Sequence, residues 1–238
     1  MDSRVWMASI LAAWLAGCGT AQNATSDEVR ADFGHGLTGA AARPMVDTDQ
    51  LPVFELFAGG RALDIGAVDA VVDTATQTLA WIDEAGVLWV APLDSAPAGK
   101  REVAGPVIPG LAARDGRVAF AWRELGPETE PFVLDIRARQ IIALDDGPGP
   151  DEVLGFSPDG DEVLVLSGRT GLASLFALGV TRHTARQLTN VGLAPGRGLD
   201  TARVTPAPAN LHDVAWTARG IEYRGDDRRV VVAAEVVR

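Results

Sequence analysis

Cysteine is nearly absent from this sequence, because Cys18 is the only one in 238 residues. No disulfide can therefore form within the chain, and no set of thiolates can hold a zinc ion. Basic residues are also scarce, with 21 Lys and Arg against 32 Asp and Glu and a formal net charge of −11. A protein of this charge does not neutralise the phosphates of a nucleic acid, so we expect no nucleic-acid partner.

Helical periodicity is lacking as well. After Leu51, no long stretch keeps apolar residues at helical spacing between capping residues. Short runs rich in Val, Ile, Leu and aromatic residues alternate instead with clusters of Gly, Pro and Asp, which is typical of β-strands joined by turns. Hydrophobic residues make up 47% of the chain, enough for a sizeable core. The sequence therefore predicts an all-β fold.

The amino terminus carries an apolar run from Val5 to Gly17 that contains no charge. The run is too short to span a bilayer, which takes roughly 20 residues, but it suits the apolar region of a secretory signal. The polar start ahead of it is weak, because Asp2 offsets Arg4. An ordinary secretory signal and a buried N-terminal helix are both compatible with the run alone.

The end of this run, Leu15, Ala16, Gly17 and Cys18, resembles the lipobox of bacterial lipoproteins. The resemblance implies that residues 1–17 are a signal peptide, that cleavage occurs before Cys18 and that Cys18 is acylated. Acyl chains contribute about 0.8 kcal/mol per buried CH₂, so the implied partner is a lipid bilayer and the implied location is the bacterial cell envelope. Gly19 after the cysteine implies the outer membrane, with the domain facing the periplasm or the cell surface.

Residues 18–44 are rich in Gly, Ala, Thr, Ser and Asp and keep neither a helical nor a strand period. We expect this segment to be a flexible tether that holds a domain at residues 45–238 away from the membrane. His35 lies between two glycines and is expected to be solvated.

The domain has its clearest structural unit at residues 150–190. Glu162 to Leu166 is an almost wholly apolar strand, as expected for one buried on both faces. A tight turn is predicted before it, because proline presets φ, aspartate bonds nearby amides and glycine accepts a positive φ; the turn consists of Ser157, Pro158, Asp159 and Gly160. Leu172 to Leu178 and Ala185 to Thr189 are predicted as the third and fourth strands.

Phe156 to Gly160 and the closing Arg186 to Thr189 resemble the blade repeat of the TolB family, a WD40-like repeat. The resemblance implies a β-propeller, whose blades are four-stranded sheets arranged around an axis. Units at residues 66–105, 106–146 and 211–238 keep the same order of strands and turns with weaker signatures. We therefore predict a propeller-like array of about four four-stranded blades, with an antiparallel sandwich as the alternative.

Closure of the ring is predicted from the two ends of the domain. The last unit has no fourth strand before residue 238, whereas residues 53–65 hold surplus strands. A propeller avoids open edges when a strand from one terminus completes the blade formed by the other. We expect residues 53–65 to pair with the last unit in this way.

Candidates for metal binding and catalysis are few. Asp159, Asp161 and Glu162 place three carboxylates in one turn, but the glycine and closing glutamate of a calcium loop are missing, so we expect no metal and no other cofactor. His183 and His212 stand far apart without a partner at ligand spacing, and we expect no catalytic residue. The alternative is a propeller-type glycan lyase or hydrolase that uses one of these histidines with a carboxylate and an arginine in the central channel.

We expect the domain to act as a non-catalytic binding or scaffolding module for a protein or peptide, with a glycan as the alternative ligand. The acidic balance favours basic partners, and the Pro- and Gly-rich insertion 192–210 is the leading candidate for a binding loop. Four tryptophans on predicted strands are expected to pack between blades, and any that is exposed at the propeller mouth suits stacking on a sugar: Trp81, Trp89, Trp122 and Trp216.

Overall fold

The structure is a computed structural model, and it describes residues 30–42, 51–123, 128–144, 147, 150–169, 174–191, 205–207, 212–225 and 228–232. Every regular element in these residues is a β-strand, so the prediction of an all-β fold is confirmed. None of these residues belongs to a helix with the length and apolar character that crossing a bilayer requires.

Four four-stranded antiparallel sheets follow one another along the chain, each with its strands in chain order. The first sheet contains β1 to β4, at Arg30–Gly34, Leu37–Ala41, Phe54–Ala58 and Arg61–Ala67. The second contains β5 to β8, at Asp69–Asp73, Thr78–Ile82, Leu88–Pro92 and Arg101–Ala104. The third contains β9 to β12, at Val107–Arg114, Arg117–Trp122, Glu130–Asp135 and Gln140–Ala143. The fourth contains β13 to β16, at Asp151–Phe156, Glu162–Ser167, Ser174–Gly179 and Ala185–Gln187.

A short parallel pair and a three-stranded sheet complete the described residues. β17 at Thr189–Val191 runs parallel to β18 at Thr205–Ala207. The fifth sheet is antiparallel and contains β19 to β21, at His212–Thr217, Gly220–Gly225 and Arg228–Val232.

Hydrophobic side chains fill the space between each pair of successive sheets, so the sheets stack face to face. In β6, Leu79 and Trp81 face the first sheet, whereas Ala80 and Ile82 face the third. The strands β14 and β15 divide their side chains between the third and fifth sheets in the same way. These middle strands are apolar at nearly every position because both of their faces are buried.

The first strands of successive sheets contact one another, in the order β1, β5, β9, β13 and β19. Sheets that stack face to face with their first strands gathered together radiate from that side as the blades of a propeller. An antiparallel sandwich, which consists of two packed sheets, does not match this arrangement. The prediction of a propeller-like array with about four four-stranded blades is therefore confirmed.

The predicted pairing of residues 53–65 with the last unit is wrong. The strand β3 pairs with β2 on one side and with β4 on the other, and among the described residues no strand of the first sheet pairs with β19, β20 or β21. Along β4, buried and exposed side chains alternate, and Asp32, Thr38 and Glu55 are exposed. The outer face of the first sheet carries the exposed Asp32, Thr38 and Glu55 together with the half-buried Phe57, which lies opposite Thr38.

The prediction of a flexible tether throughout residues 18–44 is wrong for residues 30–41, which form β1 and β2. His35 and Gly36 join these strands in a two-residue turn with φ of 51° and 76°, and His35 is exposed. The Phe33 ring packs edge-on against Phe54 at 5.8 Å between centroids. A Cβ at Gly39 would lie 2.8 Å from the Phe54 Cβ and 2.9 Å from the Phe33 ring. Gly39 weakens the strand pattern in the sequence, but its lack of a side chain leaves the space in which Phe33 and Phe54 pack together.

Candidate functional site

A cleft of about 460 Å³ opens between β4 of the first sheet and the β6–β7 hairpin of the second. We call it the tryptophan cleft, and its walls include Asp64, Ile65, Trp81, Asp83, Trp89 and Lys100. Trp81 and Trp89 are directly opposite one another on β6 and β7, so their side chains project from the same face of the sheet. Trp81 is buried and Trp89 is half-buried against the core between the first two sheets. One hairpin therefore supplies the aromatic floor of the cleft.

The turn between β6 and β7 fixes the orientation of Trp89. Asp83 Oδ1 accepts hydrogen bonds of 2.9 Å from the backbone N–H groups of Ala85 and Val87. Its other oxygen, Oδ2, accepts a hydrogen bond of 2.8 Å from Trp89 Nε1. Aspartate at the start of a tight turn commonly bonds the amides that follow it. Here the same carboxylate also holds the indole, so the ring of Trp89 is preorganised in the cleft.

Lys100 stands over this ring. It is the only lysine in the sequence, its side chain is exposed, and its Nζ lies 4.3 Å from the centroid of the Trp89 ring. The negative face of an aromatic ring attracts a cation at this distance. Glu102 is the cross-strand partner of Trp89 on β8 and so lies on the same face. The cleft thus combines an aromatic floor, a cation from the chain itself and carboxylates nearby.

A second cleft, of about 420 Å³, lies between the turns of the first two sheets. We call it the polar cleft, and it is lined by His35, Arg61, Gln77 and Asp94, among others. Arg61 Nη2 donates to the carbonyl oxygens of Leu93 at 3.4 Å and Asp94 at 3.5 Å. Its guanidinium therefore links the first sheet to the β7–β8 loop of the second.

Two carboxyl groups lie on the first strands of the propeller. Asp69 on β5 is buried; its Oδ2 accepts hydrogen bonds of 2.8 Å from the backbone N–H groups of Gly110 and Leu111, and its Oδ1 accepts one from Ala70. Burial raises the pKa of Asp69 to about 6, although these three hydrogen bonds act to lower it. Burial and then the charge of Asp69 raise the pKa of Glu152 on β13 to about 7. Asp69 thus links the second blade to the third at Gly110, and Glu152 of the fourth blade brings a second carboxyl group close to it.

The described residues do not assemble the site that the enzyme alternative requires. His183 lies in the turn after β15 and is exposed, and His35 lies in the turn between β1 and β2. The side chain of His212 lies outside the described residues. Neither His35 nor His183 belongs to a first strand, so neither of them joins Asp69 and Glu152.

The predicted turn at residues 157–160 is present, with Gly160 at φ 76°. Ser157 Oγ donates to Asp159 Oδ1 at 2.6 Å and accepts a hydrogen bond of 2.9 Å from the backbone N–H of Glu162. Arg114 and Arg117 of the third sheet donate to the carbonyl oxygens of Pro158 and Gly160. The motif therefore closes the β13–β14 hairpin and joins the fourth blade to the third.

Replacing Ser157 by alanine is expected to lower the free energy of unfolding by about 1.5 kcal/mol, because the partly buried N–H of Glu162 loses its acceptor. Urea denaturation monitored by tryptophan fluorescence measures the change. Ser95→Ala, at an exposed position of the β7–β8 loop, is the matched control and should change the value by less than about 0.5 kcal/mol. Equal losses in the two variants would contradict a structural role for the motif.

The acidic residues of this turn are engaged by their own neighbours. Asp159 Oδ1 also accepts a hydrogen bond from the backbone N–H of Asp161, and the Ser157 hydroxyl is the main cause that holds the pKa of Asp159 below its usual value. Glu162 Oε2 lies 2.9 Å from Arg186 Nη2. Among the residues that the structure describes, no three potential ligand side chains are grouped to hold a metal ion.

All four tryptophans singled out by sequence pack against a core between successive sheets. Trp81 is buried, Trp122 lies 5.5 Å from the Phe132 ring, and Trp216 packs against the core between the fourth and fifth sheets. Trp89 is half-buried in this packing and also lines the tryptophan cleft, and the sequence did not indicate which of the four would do so. The turn at residues 83–86 sets the hairpin register and hence places Trp89 opposite Trp81, but the position of Lys100 depends on the loop before β8. No local signal indicated that contact.

The predicted lipidation site and most of the predicted binding loop lie outside the described residues. This holds for Leu15, Ala16, Gly17 and Cys18, and for the insertion 192–210 apart from β18. Their roles stay predictions.

Solved propeller structures resemble this chain in fold. TolB from Acinetobacter baumannii matches with a TM-score of 0.56 and 10% identity, over 86% of this chain and 52% of that one. The putative TolB from Agrobacterium tumefaciens matches with a TM-score of 0.52 and 15% identity, over 82% of this chain and 65% of that one. A structure from a study of two prolyl endopeptidases matches with a TM-score of 0.51 and 14% identity, over 85% of this chain and 33% of that one.

These matches establish a TolB-like β-propeller fold and do not extend to activity, because the identities are low. This chain spans between half and two thirds of the length of the two TolB chains. No protein-family model matches the sequence, and no curated protein matches it either.

Proposed function

We propose that this protein is a bacterial cell-envelope lipoprotein whose propeller domain binds a protein or peptide partner without catalysing a reaction. The observation that carries the binding role is the tryptophan cleft, which is built on strands and has its central ring fixed by Asp83. A preformed aromatic cleft on a rigid scaffold binds a ligand with little loss of conformational entropy.

The amino-terminal sequence supports the lipid anchor. Acylation of Cys18 would leave residues 18–29 between the membrane and β1, which begins at Arg30. A chain of this length extends no further than about 40 Å. The propeller would therefore work close to the membrane, within reach of partners in the same envelope.

The charge of the chain supports a basic partner. A net charge of −11 attracts positively charged surfaces and repels anionic ones. The same charge would keep the propeller away from the anionic surface of lipids, which agrees with an anchor made by acyl chains rather than by the domain.

Replacing Cys18 by serine is expected to abolish membrane attachment. Cells grown with labelled palmitate should label the wild-type protein and carry it to the membrane fraction, whereas the variant should be unlabelled and lost from that fraction. Wild-type protein that is soluble and unlabelled would contradict the anchor.

The binding role is tested in the same cells by a photo-crosslinking residue placed at one exposed position in each of the first four blades, on a strand at Asp32 and in connecting loops at Ala98, Arg139 and Arg182. A binding module should give one discrete crosslinked protein at one or two of these positions, and unlabelled protein expressed in excess should compete it away. Absence of a discrete product at every position, in cells where the protein is anchored, would contradict the binding role.

A further inference from the structure

We propose that the tryptophan cleft receives a lysine or arginine side chain from a basic segment of the partner, and that Lys100 occupies this position until the partner displaces it. The inference rests on the proposed binding function and names the chemistry of its ligand.

The ring of Trp89 already holds a cation. Lys100 Nζ lies 4.3 Å from the ring centroid, so the geometry shows that this face of the indole is open to a positively charged group. The ring itself is fixed, because Asp83 bonds both its N–H and the turn that carries it. The Trp89 ring is therefore held rigidly, and the cation that it now binds belongs to the same chain.

Lys100 is easily released from the ring. It follows three exposed residues, 97–99, in the loop before β8, and its own side chain is exposed. A cation–π contact at an exposed site contributes about 0.5–1 kcal/mol, which a long lysine side chain largely offsets by losing rotamer freedom. A partner that also contacts the protein at other positions can therefore displace Lys100 from the ring with its own cation.

The surroundings of the cleft favour a cation over a neutral sugar. Asp64 lines the cleft and Glu102 lies opposite Trp89 on the neighbouring strand, and the whole chain is strongly acidic. A sugar that displaced Lys100 would remove a charge from the ring face without replacing it. A lysine or arginine would restore the same interaction, and arginine would add planar stacking.

The solitary lysine permits a direct test. Reductive methylation of the full chain in detergent micelles with ¹³C-formaldehyde labels Lys100 Nζ and keeps its charge. The ring current of Trp89 should place the Lys100 methyl resonance upfield of its position in urea-unfolded protein, and Lys100→Arg identifies the resonance by removing it. Titration with a short peptide of alternating lysine and serine should move it to the unfolded position, whereas a glutamate–serine peptide should not.

Affinity measurements by fluorescence anisotropy on the labelled lysine–serine peptide complete the test. Lys100→Ser should bind the peptide about twofold more tightly, because the internal competitor is gone. Trp89→Leu should bind about fourfold more weakly, and Trp122→Leu, which changes a half-buried tryptophan of the third sheet, should bind as the wild type does. If Trp89→Leu does not fold, the Lys100→Ser affinity and the methyl resonance carry the test.

A Lys100 resonance that already lies at the unfolded position, or that the peptide leaves in place, overturns the proposal, as does unchanged affinity in Lys100→Ser. A partner crosslinked in cells at other sheets while the resonance stays unmoved overturns this assignment and leaves the binding function standing. Displacement of Lys100 by the peptide with no partner crosslinked in cells overturns the binding function and leaves the cation site standing.

Discussion

Replacing Gly110 by alanine is expected to lower the free energy of unfolding by about 3 kcal/mol or more. Gly110 lies on β9 with φ of 118°, a conformation that L side chains rarely adopt. An added Cβ would also lie 2.9 Å from the carbonyl oxygen of Val153 on β13. Relief of that contact would move β9 away from β13, and it would disturb the N–H group that Asp69 binds.

Urea denaturation of both proteins at one pH measures this loss. Gly155→Ala is the matched control, because Gly155 also lies on a first strand. An added Cβ there would have no atom within 4 Å outside its immediate chain neighbours, and the φ of Gly155 is not in the left-handed range. The control should stay within about 0.5 kcal/mol of the wild type. Similar values for the two alanine variants would show that the approach of β9 to β13 contributes little.

Stability is expected to decrease by about 3 kcal/mol between about pH 5 and pH 7.5. The pKa of Asp69 is raised from 3.8 to about 6 and that of Glu152 from 4.5 to about 7, in both cases first by burial. The folded chain therefore holds these protons where the unfolded chain has lost them. Because the folded state binds more protons in this window, the free energy of unfolding falls as the pH rises toward 7.

Unfolding free energies from urea titrations at several pH values test this slope. Glu152→Gln should flatten the pH dependence, since it removes one of the two titrating groups. Glu55→Gln, on the exposed face of the first sheet, should keep the wild-type slope. A profile that rises with pH in the wild type, or that is unchanged in Glu152→Gln, would show that the two carboxyl groups do not titrate as a buried pair.

The sequence predicts the middle strands well because burial on both faces leaves little room for ambiguity. In β6 and β14 nearly every side chain is apolar, and each strand is preceded by a turn with its own signature, such as residues 157–160. The strands β1 and β2 were missed because one face is solvated and Gly39 and Gly36 interrupt the pattern. Their strand character depends on contacts with Phe54, which is distant in sequence.

The features of the candidate site were harder to predict, since they combine separate blades or a loop with a strand. The position of Asp69 beside Gly110 and near Glu152 follows from the packing of three first strands, and no spacing within one segment encodes it. The pairing of Trp81 with Trp89 follows from the register of one hairpin, which is accessible from sequence. The contact of Lys100 with Trp89 requires the course of the loop at residues 93–100.

The outer face of the first sheet affects whether a further blade can pack against the propeller at that end. Stacked repeats need an end unit with a hydrophilic exterior, which keeps further units from adding. With Asp32, Thr38 and Glu55 exposed on that exterior, a further blade that packed there would have to bury three polar side chains, which is costly unless each finds a hydrogen-bond partner.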